Sequence, residues 1–336
     1  MSAAPAPDAP LFTLACQAYD RMQPLRDGTV GLGGARLNFL DLPVEETFFR
    51  MLRFAEFDIA ELSLSSYVLT LGRGAPFVAV PVFPSRAFRH SGIYVRADSP
   101  ITDPAQLEGG TVGVPEYQIT ASVWIRGILA EHHGLDVASV RYRTGGLDEP
   151  GRVEKIRLDL PPGVDVTPIA ATETLSQLLL DGKLDAVYSA RNPGPFNTPG
   201  GGGIRRLFLD PAGTEREYHS RTGIFPIMHT LVIRREVYEQ HRWLAGELVK
   251  ACTAAKTAGL AGIGETAALT YALPWLWAEV ERTREALGED WWPYGLEPNR
   301  TTLETFLRYH HEQGLSPRRY EPEELFAPES LAAVVV

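Results

Sequence analysis

The chain has 336 residues, of which 44% are hydrophobic and 22% charged, and a formal net charge of −10. That length suggests two domains of ordinary globular material. The acidic balance argues against nucleic acid or an anionic membrane as partner, since both call for positive charge, so an anionic ligand has to be held by a few placed cations.

Residues 1–10, MSAAPAPDAP, have neither a basic start nor an apolar stretch and read as a disordered tail rather than a secretory signal. With no apolar stretch of membrane-spanning length, the expected setting is the cytoplasm. Cys16 and Cys252 make neither a metal-ligand spacing nor a disulfide framework. Leu11 to Ala15 predicts a strand, followed by a loop with Tyr19, Asp20 and Arg21 and by a second strand at Leu37 to Leu40. After Pro43, the stripe Val44, Phe48, Phe49 and Leu52 predicts a helix, with Glu45 and Glu46 in the first turn, as its dipole favours. FDIAELSLSS follows as a strand running into a helix capped at Ser65 or Ser66.

The apolar run from Val80 is interrupted by Arg86, Arg89 and His90 and resumes at Ile93 to Val95. Two guanidiniums and an imidazole there are costly to bury unless an anion meets them. ITDPAQLEGG predicts a short helix, Thr111 to Val114 a strand, and the segment from near Thr120 a helix. TLSQLLLDGKLDAVYSA repeats that grammar, with a helix closed by Gly182 and a buried strand at Ala186 to Tyr188. Asn192 to Gly203 is a surface loop, IFPIMHTLVIRRE returns as a strand, and the remainder is mainly helical, interrupted by WWPYGLEPNR. Alternating strands and helices define the α/β class.

ITDPAQLEGGTVGVP and LLLDGKLDAVYSA resemble the entry and exit of the second lobe in type II periplasmic-binding-protein-like folds. From Leu11 to about Leu331 the chain resembles the 4,5-dihydroxyphthalate decarboxylase family. The blocks that carry this are LPVEETFFRML, ELSLSSYVL, VFPSRAFRHSGIYV, GVPEYQITASVWIRGIL, YRTGGLDEPGR, RTGIFPIMHTLVIRR and WPYGLEPNRTTLETFLRYHHEQGL. The resemblance implies a two-lobed α/β fold with a ligand cleft, lobe 1 formed by residues 11–97 and 223–336 and lobe 2 by residues 98–222. It implies loss of one carboxylate from a dihydroxylated aromatic diacid to give 3,4-dihydroxybenzoate. It transfers no catalytic residues, so the candidates below rest on chemistry.

Such a decarboxylation needs anion clamps, a base at the catechol edge and an acid at the ring face. Arg86 and Arg89 are candidate clamps, and His90 is a candidate acid; in an extended segment Arg86 and His90 share a face and Arg89 takes the other. Either arginine serves equally well as the partner of a structural carboxylate. His229, alone in an apolar strand, is read as a proton-transfer group against the equal alternative of a satisfied core histidine. Glu61, in an otherwise apolar strand, and Glu116, after GVP, are read as carboxyls of raised pKa or as arginine partners. Ser65, Ser66 and Thr120 stand at helix starts that can seat a carboxylate, or simply cap. Arg191, following DAVYSA, is a candidate second clamp.

The pairs His132–His133 and His310–His311 do not have metal-ligand geometry, because adjacent helical residues diverge by about 100°. No cofactor is expected; a divalent ion through His90, His229 and an acid stays open on the chelating chemistry of catechols alone. Trp275, Trp277, Trp291, Trp292 and Tyr294 read as core or as a dimer interface, which leaves a homo-oligomer open. The expected function is decarboxylation of a hydroxylated aromatic diacid, the expected partner a small aromatic diacid substrate. A cytoplasmic solute binder or sensor for a small aromatic carboxylate is the alternative. A serine hydrolase finds no G-x-S-x-G elbow.

Overall fold

The structure, a computed structural model, describes residues 8–74 and 76–331. Most of the tail expected over residues 1–10 lies outside the described residues. The described chain forms two compact units, one of residues 8–86, 227–304 and 320–331, the other of residues 87–226 and 305–319.

The first unit contains β1 (Leu11–Cys16), α1 (Gln23–Arg26), β2 (Arg36–Asp41), α2 (Val44–Phe54), β3 (Ile59–Ser63), α3 (Leu64–Leu71) and β4 (Phe77–Val80). The second contains β5 (Ile93–Arg96), β6 (Thr111–Val114), α4 (Thr120–His133), β7 (Arg141–Thr144), β8 (Val166–Pro168), α5 (Leu175–Leu180), β9 (Ala186–Tyr188), β10 (Ile204–Arg206) and α6 (Pro211–Thr222). The chain then re-enters the first unit as β11 (His229–Arg234), α7 (Arg235–Gln240), α8 (Trp243–Leu260) and α9 (Leu276–Leu287). Helix α10 (Arg300–Glu312) belongs to the first unit up to Glu304 and to the second from Thr305.

The first unit's sheet has the order β2-β1-β3-β11-β4, in which β1 is parallel to β2 and β3 while β11 runs antiparallel to β3 and β4. All five residues of β3 are buried, as expected of a central strand covered on both faces. Its chain passes into α3 without a loop, so the helix is capped two or three residues earlier than the serine pattern suggests. Ser63, rather than Ser65 or Ser66, takes the Ser66 N–H on its hydroxyl at 3.4 Å.

The second unit's sheet has the order β10-β5-β9-β6-β7-β8, with β6 parallel to β7 and β9, and β5 antiparallel to β9. Leu175, Leu178, Leu179, Leu184 and Val187 form a core cluster on it with Tyr94 and Ile204. Helix α4 ends at Gly134, whose φ of 67° is the left-handed turn that glycine accepts at least cost.

Trp275 and Trp277, at the start of α9, are 73% and 43% exposed, which sets aside the core alternative for these two. Tyr294 alone of that group is buried. Among the described residues no helix is long and apolar enough to cross a membrane.

Candidate active site

In the first unit the register of β11 on β3 sets His229 opposite Ser63 and Leu231 opposite Glu61. Residues two apart on a strand share a face, so Glu61 and His229 become diagonal neighbours on one face. The Glu61 side chain is 0% exposed and that of His229 is 16% exposed. A buried carboxylate is costly unless every oxygen is satisfied, and here it is. Oε1 accepts from His229 Nδ1 at 2.6 Å and from the Tyr19 hydroxyl at 2.7 Å. Oε2 accepts from the Gln17 amide at 3.2 Å and from Cys16 Sγ at 3.4 Å.

Burial alone would push the Glu61 carboxyl up, but the charge and hydrogen bond of His229 and the Tyr19 and Gln17 donors outweigh it, and its pKa is lowered. Glu61 is therefore held as an anion, contrary to the raised pKa read from its apolar strand, and its partner is a histidine rather than an arginine. Since a carboxylate only accepts, His229 must carry a proton on Nδ1, which leaves Nε2 as the basic atom of the neutral ring. Phe48 meets the imidazole edge-on with ring centroids 4.8 Å apart. The same burial, with Glu61's charge added, pushes the pKa of Tyr19 and that of the Cys16 thiol up. Both cysteines are buried free thiols.

Beside this group Arg21 lies between two rings, 4.2 Å from the Tyr19 centroid and 4.0 Å from that of Trp292. Its Nε donates to the Pro84 carbonyl at 2.7 Å and its Nη1 pairs with Asp20 at 2.9 Å. Tyr19 and Arg21 were not among the sequence candidates; the signal was a Y-D-R triplet just past the C-terminal end of β1, the edge at which open α/β sheets present ligands.

Arg86, one of the two clamp candidates of its segment, is buried, donating Nη2 to the Pro293 carbonyl at 2.8 Å and to Asn299 Oδ1. Burial lowers its pKa to about 9. These bonds tie it to the WWPYGLEPNR segment, whose carbonyls need donors. Ser65 and Ser66 are buried in the first turn of α3.

In the second unit Glu116 follows β6 and is 0% exposed. Its Oε1 accepts from Arg152 Nη2 at 2.7 Å and from the Lys155 ammonium, and its Oε2 from the Lys155 amide at 3.1 Å and from Gln118 Nε2 at 3.0 Å. Burial pushes its pKa up, but the Lys155 and Arg152 charges prevail and the net shift is downward. Glu116 is thus a compensated anion, not the raised-pKa acid its position suggested. Glu154, which the sequence reading did not single out, lies beside it.

Thr120 opens α4 with its side chain buried, and that helix has no side-chain N-cap. Arg126 lies a turn and a half further on, fully buried, with its guanidinium 3.8 Å from the Tyr117 centroid and its Nη2 donating to the Tyr117 carbonyl at 2.7 Å. Arg89 has its pKa lowered to about 10 by burial, against the opposing charge of Glu215. Arg191 is exposed, with its amide donating to the Ser189 hydroxyl at 3.1 Å.

His90 is buried among aromatic rings, with centroids 5.2 Å from Tyr218, 5.3 Å from Phe208 and 5.9 Å from His133. Neither ring nitrogen has a hydrogen-bond partner among the described residues. Burial, then the neighbouring His133, His132 and Arg221, lower its pKa from 6.5 to about 4. Between those values the unfolded chain binds the proton that the folded one refuses, so His90's contribution to stability is intact above pH 6.5 and is lost as the pH falls toward 4. Thermal scans across that range are expected to show a falling midpoint for the wild type and a flatter profile for His90→Phe; parallel profiles would contradict this. Among the described residues no three His, Cys, Asp or Glu side chains are grouped so as to hold a metal ion.

No protein-family model matches the chain. Among solved structures, the periplasmic aliphatic sulphonate binding protein of Escherichia coli superposes with a TM-score of 0.52 at 13% identity, over 95% of this chain and 97% of that one. The periplasmic sulfonate-binding protein of Methylobacillus flagellatus gives 0.55 at 12%, over 97% and 94%. The fold is therefore that of the type II periplasmic-binding-protein-like α/β proteins. Among curated proteins, the chain is 45% identical over 321 residues to the 4,5-dihydroxyphthalate decarboxylase of Comamonas testosteroni, covering 95% of this chain and 97% of that protein. It is 47% identical over 209 residues to the protein of the same name from Pseudomonas putida, covering 62% and 81%. The chain belongs to the 4,5-dihydroxyphthalate decarboxylase family.

Proposed function

We propose that this protein is a carboxy-lyase that converts 4,5-dihydroxyphthalate to 3,4-dihydroxybenzoate and CO2, with His229 as the base and Glu61 as its fixed anionic partner. The observation that carries the reading is the His229 Nδ1 to Glu61 Oε1 bond of 2.6 Å, which leaves Nε2 as the ring's basic atom. Each carboxylate of the substrate is para to one hydroxyl. His229 takes that hydroxyl's proton, and Glu61 stabilises the imidazolium that forms. Electron density from the phenolate oxygen then reaches the ring carbon bearing the leaving carboxylate, which accepts a proton. The carbon–carbon bond breaks, its electron pair returns to the ring, CO2 departs, and the phenolate recovers its proton from His229. One proton is consumed per turnover.

In this reading the substrate supplies its own electron source, so no organic cofactor is called for. The two buried free thiols support a cytoplasmic setting, where thiols stay reduced. The test is to incubate chelator-treated protein with 4,5-dihydroxyphthalate and follow CO2 release, then to add divalent metals back. Turnover without metal is expected. Tight binding with no CO2 under either condition would replace the enzyme with a solute binder, and turnover only after metal addition would replace the acid–base scheme.

A further inference from the structure

Glu61 can orient His229 only while its own carboxylate is held, and the hold comes from one short stretch of chain. At the C-terminal end of β1 and just beyond it, Cys16 Sγ and the Gln17 amide donate to Oε2, and the Tyr19 hydroxyl donates to Oε1 at 2.7 Å. Tying both oxygens fixes the plane of the carboxylate. Of these donors Tyr19 alone shares its oxygen with the histidine, whose Nδ1 meets Oε1 at 2.6 Å. Both bonds are short, as charge-assisted bonds are. Burial, then the charge of Glu61, push the Tyr19 pKa up, so its hydroxyl keeps its proton and serves as a standing donor.

The ring that carries this hydroxyl is held in turn. Arg21 lies 4.2 Å from the Tyr19 centroid and 4.0 Å from that of Trp292, and its Nε is anchored on the Pro84 carbonyl at 2.7 Å. A guanidinium between two rings is attracted to both faces and fixes their separation. All of these residues belong to the first unit. Resting on the reaction set out above, we propose that Tyr19 is a positioning residue of that reaction: by sharing Oε1 with His229 Nδ1–H, its hydroxyl fixes the Glu61 carboxylate in the orientation that presents His229 Nε2 to the substrate hydroxyl, and Arg21 holds the tyrosine ring for that purpose. Tyr19 acts through Glu61 and touches no reacting atom. A donor that only satisfied a buried acceptor would contribute to folding and leave the turnover of the folded enzyme unchanged.

The test is a double-mutant cycle of Tyr19→Phe and Glu61→Gln, read as kcat and KM for CO2 release from 4,5-dihydroxyphthalate. Tyr19→Phe removes one oxygen and keeps the ring against Arg21. Alone, it is expected to lower kcat on the order of 10-fold with KM changed by less than about 2-fold, in keeping with one hydrogen bond to a charged group. In the Glu61→Gln background the same change is expected to lower kcat by less than about 2-fold, because the residue it acts through is already altered. Arg21→Lys, which keeps the charge but loses the flat contact with the Tyr19 ring, is expected to lower kcat by a smaller factor in the same pattern, and it carries the test in both backgrounds if Tyr19→Phe fails to fold. Wild-type kcat in the variant that carries the test would overturn the assignment, as would an equal loss with and without the Glu61 carboxylate. Wild-type kcat in Glu61→Gln would overturn the dyad and the assignment with it, and a wild type that releases no CO2 would overturn the reaction itself.

Discussion

The His229→Asn variant is expected to lose kcat by on the order of 100-fold to 10,000-fold while binding the diacid nearly as well as wild type. Asparagine keeps a donor for Glu61 but supplies no base, so a loss in turnover reports the missing proton acceptor rather than a stranded buried charge. Glu61→Gln probes the same bond from the other side. A carboxamide can offer its own N–H to His229 Nδ1, which moves the ring proton to Nε2 and removes the basic atom at the point of use; the loss of the carboxylate also withdraws support from the imidazolium. Its kcat should fall by a comparable factor, and the double variant should be scarcely worse than either single one, since both act through one bond. Initial rates of CO2 release with KM determined for each variant check this. Wild-type kcat in His229→Asn would remove this histidine from the mechanism.

The sequence exposed the elements far better than the pairings between them. Thr111–Val114 and Ala186–Tyr188 are short apolar runs bounded by glycine and polar residues, and Gly182 marks the end of the helix before the second, so local chemistry located them. The cap at Ser63 was missed because strand and helix share a junction with no loop to announce it. The dyad itself has no local signature: Glu61 and His229 are 168 positions apart and meet only through the register of a strand that returns antiparallel after a whole unit has intervened. Arg86 illustrates the same limit, since its carbonyl partner at Pro293 lies 207 positions away.

Trp124→Ala is expected to destabilise the protein by about 3–5 kcal/mol, the cost of truncating a large aromatic side chain in a core that cannot collapse around the gap. Trp124 is fully buried in α4, and its ring lies 5.5 Å from that of Phe306 and 5.8 Å from that of Tyr309, both on α10. One turn further along α4, Gly127 lets the Tyr309 ring approach so closely that an added Cβ would stand 2.0 Å from its Cδ2. Gly127→Ala should therefore also destabilise, by about 1–3 kcal/mol through overpacking, even though alanine is the better helix former. The two changes act on one ring from opposite directions, one emptying the space and the other crowding it, so the double variant should cost less than the sum of the singles. Urea unfolding of the four proteins measures this cycle. A loss under about 1 kcal/mol for Trp124→Ala would mean that the site relaxes around the missing indole. The expected larger loss would make this aromatic contact the chief anchor of the 305–312 segment of α10 on α4.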